Sequence, residues 1–366
     1  MAPLRVLLVH PGAAWSTHDV WTGMRAGLLA AGCEVIDYRL DEALAFFGLT
    51  FQAAEQGGIH WEGGSRPNVP GFAGIKCVAE LVNVSPDLLI SVSGHNLHRS
   101  VPLMARKLGI PTAVYCTESP YFGEFERQFA KECDVIFTNE RRAVPFFEQV
   151  APGRAHYLAH AYNPAVHHPG PVDPALASDV FFVGSGFPER VRLFQAVDWT
   201  GINAAIKGFL WNGEAELDPT DVVPNDQAVA YYRAAAICLN HHRTTTVYGA
   251  HEHISALDAD SLGPRAYEIP ASGGFMLCDD SRAELREVYG DTVPTYRSHS
   301  AIDLERQVVV KGQGDEIPFD VQPFRKYCLL NGFDDIGLTL RHADKIRAYE
   351  AQRLATKPWL AHTLQG

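Results

Sequence analysis

No stretch of this chain approaches the roughly eighteen consecutive apolar residues that a membrane-spanning helix needs. Its amino terminus, Met1-Ala2-Pro3-Leu4-Arg5, runs into a short strand with neither the charge pattern nor the apolar core of a signal peptide, so a cytoplasmic protein is expected. Cysteine is sparse. The seven cysteines (Cys33, Cys77, Cys116, Cys133, Cys238, Cys278 and Cys328) include no C-x-x-C pair, and this odd, scattered set suits reduced, buried thiols rather than bridges or zinc. Basic residues are also in deficit, 31 Lys and Arg against 43 Asp and Glu, and the net charge of -12 opposes non-specific attraction to nucleic acid or an anionic membrane. Walker sequences are absent as well.

What is present is alternation. With 366 residues, 46% of them hydrophobic, the chain can build two domains with ordinary cores. Apolar strand-like runs alternate with helical patterns from Arg5 onwards, the pattern of a parallel sheet covered on both faces. Arg5 to Val9, Glu34 to Tyr38, Leu88 to Val92, Ala113 to Cys116 and Val135 to Thr138 read as strands, followed by one at Tyr157. Residues 41 to 72 break the rhythm with glycines, aromatics and prolines and read as an irregular excursion. A proline-rich stretch follows, and the pattern restarts at Asp179 to Val183. The expected division is therefore a Rossmann-like domain over 1–165, a linker over 166–177, a second Rossmann-like domain over 178–340, and a helical segment over 341–366.

Two doubly wound domains imply a cleft between the carboxyl ends of two sheets, so chemistry belongs in the loops after strands. The richest segment runs from Arg265 to Asp279: a short charged helix, paired glycines Gly273 and Gly274, then an apolar strand. Glu268 can grip two vicinal ribose hydroxyls, because a carboxylate offers two acceptor oxygens in one plane, and the glycines would let a ligand approach the backbone. The plain alternative is a salt bridge followed by a helix stop at glycine. A second loop, Gly184-Ser185-Gly186 with Arg190, departs from the dinucleotide fingerprint because Glu189 stands in place of the third glycine. It reads instead as a turn opening a helix, with free N–H groups and arginines to seat a diphosphate, and Arg243 can join them. In the first domain, the loop with Gly12, His18 and Asp19 faces the same cleft, and His95 follows another strand.

The histidine-rich segment His241, His242, His251, Glu252 and His253 offers zinc-ligand types but lacks the regular His-Glu-x-x-His spacing. No metal and no cofactor are expected. Residues 241 to 260 read instead as a flap over the site.

Val223-Pro224-Asn225-Asp226-Gln227, Tyr231 to Asn240 and Arg265 to Gly274, in that order, resemble the carboxy-terminal half of the CgeB-like glycosyltransferases. Phe182 to Gly186 with Arg190 is similar to the start of that domain, and His362-Thr363 to its end; Thr117-Glu118-Ser119-Pro120 fits the first half more loosely. The resemblance implies the α/β GT-B architecture, two Rossmann-like doubly wound domains facing a central cleft, with the segment 341–366 crossing back towards the first domain. It also implies a nucleotide-sugar donor, with UDP first among nucleotides, held by Glu268 at the ribose and by Gly184, Arg190 and Arg265 at the phosphates. Asp260 stands where such enzymes carry the first of two acids. Glu118 or His95 would then take the proton of an acceptor hydroxyl, unless the anomeric configuration is retained, when neither is needed. The expected function is metal-independent sugar transfer from a nucleotide diphosphate sugar to a hydroxyl of a protein, polysaccharide, small molecule or modified nucleic acid base. The alternatives are a GT-B nucleotide-sugar epimerase or hydrolase, and a two-lobed binding protein without catalysis.

Overall fold

The computed structural model describes residues 2–356 apart from 13–15, 60–67, 95, 122, 198, 200, 212–221, 245–258, 297–300, 304–307, 311–315, 319–322 and 324–341. The chain forms two compact units, Met1–Arg297 and Ser298–Gly366. The division falls inside the span 178–340 read from the sequence as one domain.

The first unit holds two parallel sheets. Strands β1 (Arg5–Val9), β2 (Glu34–Tyr38), β3 (Leu88–Val92), β4 (Thr112–Cys116), β5 (Val135–Thr138) and β6 (Ala155–Tyr157) lie in the order β2-β1-β3-β4-β5-β6. Val6, Leu7, Leu8 and Val9 are all fully buried, as a strand covered on both faces requires. The second sheet comprises β7 (Ser178–Val183), β8 (Ala204–Lys207), β9 (Ala235–Asn240), β10 (Met276–Asp279) and β11 (Thr295–Tyr296), in the order β11-β10-β9-β7-β8. Both sheets thus start in the middle, step one strand outward, and return past the first strand to grow the other way. Each has its switch point beside its first strand, between β1 and β3 and between β7 and β9, where doubly wound sheets open a crevice at their carboxyl ends.

The expected irregular excursion after residue 40 is largely helical. Helix α2 (Leu40–Gln56) follows α1 (Ser16–Ala30) and precedes α3 (Val69–Val84). Leu40, Ala43 and Phe51 of α2 are buried, and Phe47 and Phe51 pack against Phe72 of α3. The aromatic content that looked irregular is the seam of a helix pair. Helices α4 (Ser100–Lys107), α5 (Gly123–Ala130) and α6 (Val144–Glu148) complete the first half, and α7 (Pro188–Ala196), α8 (Asn225–Ala234), α9 (Arg265–Ala271) and α10 (Glu284–Tyr289) the second. Strand β8, not foreseen, supplies the outer neighbour of β7 through pairs from Val180 with Ala204 to Val183 with Lys207.

In the second unit, β12 (Ala301–Asp303), β13 (Val308–Val310) and β14 (Glu316–Pro318) form an antiparallel sheet. Helix α11 (Ala343–Thr356) lies within the stretch expected to be helical. No helix among the described residues is long and apolar enough to cross a membrane.

Candidate functional site

Glycines decide the geometry after β7. A Cβ at Gly184 would fall 3.1 Å from both Arg190 Nη1 and Arg265 Nη2, so the backbone passes between two guanidiniums. At Gly208 a Cβ would lie 2.1 Å from the Gly184 carbonyl oxygen, and at Gly186 one would lie 2.7 Å from that of Leu210. These close approaches, rather than a ligand, require the glycines. The turn also differs from expectation in its amides: Gly184 N–H donates to Lys207 O at 2.8 Å and Gly186 N–H to Phe209 O at 2.7 Å. Positive charge is therefore offered by side chains and not by free N–H groups of those two residues. Ser185 contributes its carbonyl, which accepts from Arg190 Nη1 at 3.0 Å.

Arg190 is 5% exposed, and its Nε and Nη2 donate to His241 O at 3.1 and 2.9 Å. Burial, then the like charge of Arg265, pulls its pKa down to about 10. Two cations are thus held together, carbonyls accepting the hydrogen bonds of Arg190, with Glu189 and Glu268 as the neighbouring acids. Arg243 stacks between two rings, 3.9 Å from the centre of Phe187 and 4.2 Å from that of Tyr121. Tyr121 follows β4, so this arginine joins the two sheets, and the Tyr121 hydroxyl donates to Arg243 O at 3.3 Å.

Glu268 lies on α9, is 6% exposed, and accepts from Asn225 Nδ2 at 3.1 Å. Burial raises its pKa, with Arg265 and the Asn225 bond opposing. His167 Nε2, itself buried and without a hydrogen-bond partner, is 3.9 Å from Glu268 Oε1. Asp19, from the first half, reaches solvent yet is raised to about 6 by partial burial and then by the Glu268 carboxylate. His18 and Asp19, read from the sequence as part of a loop, stand instead in the first turn of α1, and Asp19 there feels the charge of Glu268 on α9. His18 is half-buried in a hydrogen bond of 2.8 Å to buried His10, and Gly12 N–H donates to His10 Nδ1 at 3.1 Å. Gly12 has a φ of 89° and packs on Asn96, which accounts for the glycine.

Gly273 and Gly274 serve the chain rather than a ligand. Gly273, at a φ of 86°, ends α9 by donating to Pro270 O at 3.0 Å, and Gly274 N–H donates to Ile269 O at 3.0 Å, a left-handed helix stop. A Cβ at Gly274 would sit 2.8 Å from Tyr232 O.

Asp260 is committed elsewhere. Its Oδ2 accepts from Arg141 Nε at 2.7 Å, with Arg141 Nη2 at 2.6 Å, and its Oδ1 from Ala283 N–H at 3.0 Å. Burial alone would raise its pKa; these bonds hold it below the usual range. The expected donor acid is instead a strap between the halves of the first unit. Beside it, buried Glu140 accepts from Asp260 N–H and Ser261 N–H, both at 3.0 Å. Tyr157 donates to Glu284, whose other oxygen accepts Leu262 N–H at 2.6 Å. None of these straps was legible in the sequence, because each pairs residues more than a hundred positions apart or depends on a loop conformation.

Glu118 sits after β4, and burial pushes it up to about 7 against the pull of Arg243. Behind it Glu126, fully buried, accepts from Glu118 N–H at 3.0 Å and Ser119 Oγ at 2.8 Å and is raised to about 8 by burial. Sequence reading missed Glu126; its place inside a short amphipathic helix looks like an exposed position. His95, His251, Glu252 and His253 lie outside the described residues.

His242, Cys278 and Asp279 do converge, with ligand-type atoms within 4.8 Å of one another. Asp279 Oδ2 already meets His242 N–H at 2.6 Å and Nδ1 at 2.9 Å, while Oδ1 accepts from Ser281 N–H at 3.1 Å and from its hydroxyl. Burial would raise Asp279, but these partners hold it far below the carboxylate range. Its carboxylate anchors the segment carrying His241 and Arg243.

The comparisons fall in two groups. Residues 190–313 match the family model for "Glycosyl transferase-like" proteins, and residues 335–363 match that for the C-terminal domain of the 3-isopropylmalate dehydratase small subunit. A 3-isopropylmalate dehydratase small subunit of Delftia acidovorans is 86% identical over 169 residues, 43% of this chain and 77% of that protein. One from a Polaromonas species is 77% identical over 189 residues, 48% of this chain and 82% of that protein. Over that matched length the chain belongs to the 3-isopropylmalate dehydratase small subunit family. The dehydratase-related model lies where the sequence was expected to provide a returning GT-B helix.

In fold, the chain is similar to an alpha-glucosyltransferase solved with UDP and a 13-mer DNA containing an HMU base, with a TM-score of 0.50 and 14% identity over 77% of this chain and 81% of that one. The OtsA apo structure gives a TM-score of 0.50 and 11% identity over 80% and 88%. The paired parallel sheets are those of the GT-B fold, and the glycosyl transferase-like match covers Arg190 on α7, Arg243 after β9, and Arg265 and Glu268 on α9. Nothing in these matches distinguishes the CgeB-like group.

Proposed function

We propose that the unit Met1–Arg297 transfers a sugar from a nucleotide diphosphate sugar to an acceptor hydroxyl without a metal. One observation carries this reading: Arg190 and Arg265 flank Gly184 at the switch point beside β7, and Glu268 stands one helical turn beyond Arg265. Glu268 accepts the ribose hydroxyls, and the arginines take the diphosphate. As the bond from anomeric carbon to phosphate oxygen breaks, the leaving diphosphate gains charge that fixed cations stabilise without reorganising. In an inverting displacement the acceptor oxygen forms the new bond and its proton passes to Glu118, whose pKa near 7 suits a base at neutral pH. The acceptor remains one of a protein, polysaccharide, small molecule or modified nucleic acid base.

The UDP held by the alpha-glucosyltransferase of similar fold makes UDP the first probe. Calorimetric binding of UDP, followed by sugar release from UDP-sugars with and without acceptors, tests the proposal. Absence of nucleotide binding would sink it; release that ignores the acceptor would favour the hydrolase.

A second reading concerns the dehydratase-related part. Its kinship with 3-isopropylmalate dehydratase small subunits supports a role in that dehydration. Failure of the full chain to sustain 3-isopropylmalate turnover in cells lacking their own small subunit would leave it a retained segment without that activity.

A further inference from the structure

Arg282, in the loop between β10 and α10, is not accounted for by the contacts that explain its neighbours. It is 3% exposed. Its Nη2 donates to Arg243 O at 2.5 Å, while its Nε is buried without any hydrogen-bond partner. Among the described residues no carboxylate pairs with it. A buried, permanently charged guanidinium missing a partner is costly, and native proteins keep such a group mainly where something else completes its bonding.

Its surroundings identify what is missing. Arg190 bonds His241 O and Arg282 bonds Arg243 O, so the two guanidiniums grip carbonyls two residues apart on one segment. That segment is pinned from behind by Asp279 through His242. The Tyr121 phenol feels Arg282, Arg243 and Arg190 together. Glu189, the nearby buried acid on α7, already accepts Thr244 N–H at 2.9 Å. Asp279, Glu118 and Glu268 are the other acids here, facing His242, Arg243 and Arg265 respectively, and among the described residues none of them forms an ion pair with Arg282.

We infer that Arg282 is a ligand-binding residue that donates its open Nε–H to a phosphate oxygen of the bound molecule, extending the cation set of Arg190, Arg243 and Arg265. This rests on the nucleotide-site reading for the identity of the ligand, but not for the need of an anion. The guanidinium fork suits phosphate, and a lysine would supply charge without the fork.

Inorganic pyrophosphate, UDP and uridine are the probes. Wild-type protein should bind pyrophosphate and UDP, and on pyrophosphate addition the Arg282 Nε–H resonance, identified by its loss in Arg282→Lys, should shift. In Arg282→Lys the affinity for pyrophosphate and for UDP should fall about tenfold or more, with uridine binding unchanged. An Nε–H resonance unmoved at saturating pyrophosphate, or a folded lysine variant within about twofold of wild type for both anions, would overturn the inference and leave Arg282 as a loop strap. Failure of wild type to bind pyrophosphate overturns it too. Pyrophosphate binding with a shifted resonance but no UDP binding supports Arg282 and removes the nucleotide reading instead.

Discussion

The two halves of the first unit bury ionisable groups at the carboxyl ends of their sheets in opposite ways. After β4, burial drives Glu118 to about 7 and Glu126 to about 8, so acids there hold protons near neutral pH. After β7 and β10, the arginines Arg190 and Arg282 are buried alongside the acids Glu189 and Asp279, and a guanidinium cannot escape its charge by losing a proton at working pH. Arg190, even pulled down to about 10, stays charged and is seated on carbonyls. The same desolvation thus yields a proton-exchanging face on one side and a permanent cationic face on the other. In the proposed sugar transfer, this difference would separate proton transfer from leaving-group stabilisation by position.

The sharpest way to break this contrast is Glu118→Gln. Turnover should fall by about a hundredfold to ten-thousandfold with UDP affinity unchanged, as removal of a general base requires. In wild type, turnover should decline as pH drops below about 7, because Glu118 must be ionised to accept a proton. A steady-state pH profile with both proteins reads the two effects, and a flat acid limb would strip Glu118 of the role.

On the cationic side, Glu268→Ala should weaken UDP binding by about tenfold to a hundredfold in calorimetry, since charge-assisted hydrogen bonds contribute about 1.5–3 kcal/mol each. A folded variant that keeps full donor affinity and turnover would return α9 to a structural helix stop.

The join between halves is tested by Arg141→Ala. It leaves Asp260 largely buried with its principal cation gone, and should cost about 1–3 kcal/mol in thermal or urea unfolding of the first unit. An unchanged midpoint would mean that Glu140 with Ser261 suffices to hold the halves.

The smallest effect concerns pH and Glu126. Its pKa moves from 4.5 to about 8 on folding, so between those values the native state retains a proton that the unfolded chain has lost. Stability from this group is therefore lost as pH rises through that window. Glu126→Gln should flatten the fall in melting temperature between about pH 5 and 9, by a few degrees at the upper end. An identical slope in both proteins would place the pH dependence elsewhere.

Much of the strand pattern was legible because a strand buried on both faces must be apolar throughout, as Val6 to Val9 are. Helix α9 and its glycine stop were legible for the same local reason: Gly273 needs a positive φ. Helix α2 was misread because its aromatic residues serve a partner helix, and that seam has no signature within α2 itself. Asp260 was misread because a carboxylate looks alike whether it meets a ligand or an arginine 119 positions away. Glu126 and Arg282 were overlooked, since a charged residue on a short helix or turn is ordinarily exposed.

By itself the sequence determined the alternation of strands and helices, the turn glycines, and which strand-end loops carry charge, since these follow from local periodicity and backbone sterics. Only the tertiary structure decided which charges share a space. The closeness of Arg190 and Arg265 around Gly184, the open Nε of Arg282, and the proton-holding pair Glu118 and Glu126 arise from chain segments brought together by two separate sheets. Desolvation and charge coupling are properties of that shared volume, not of sequence distance.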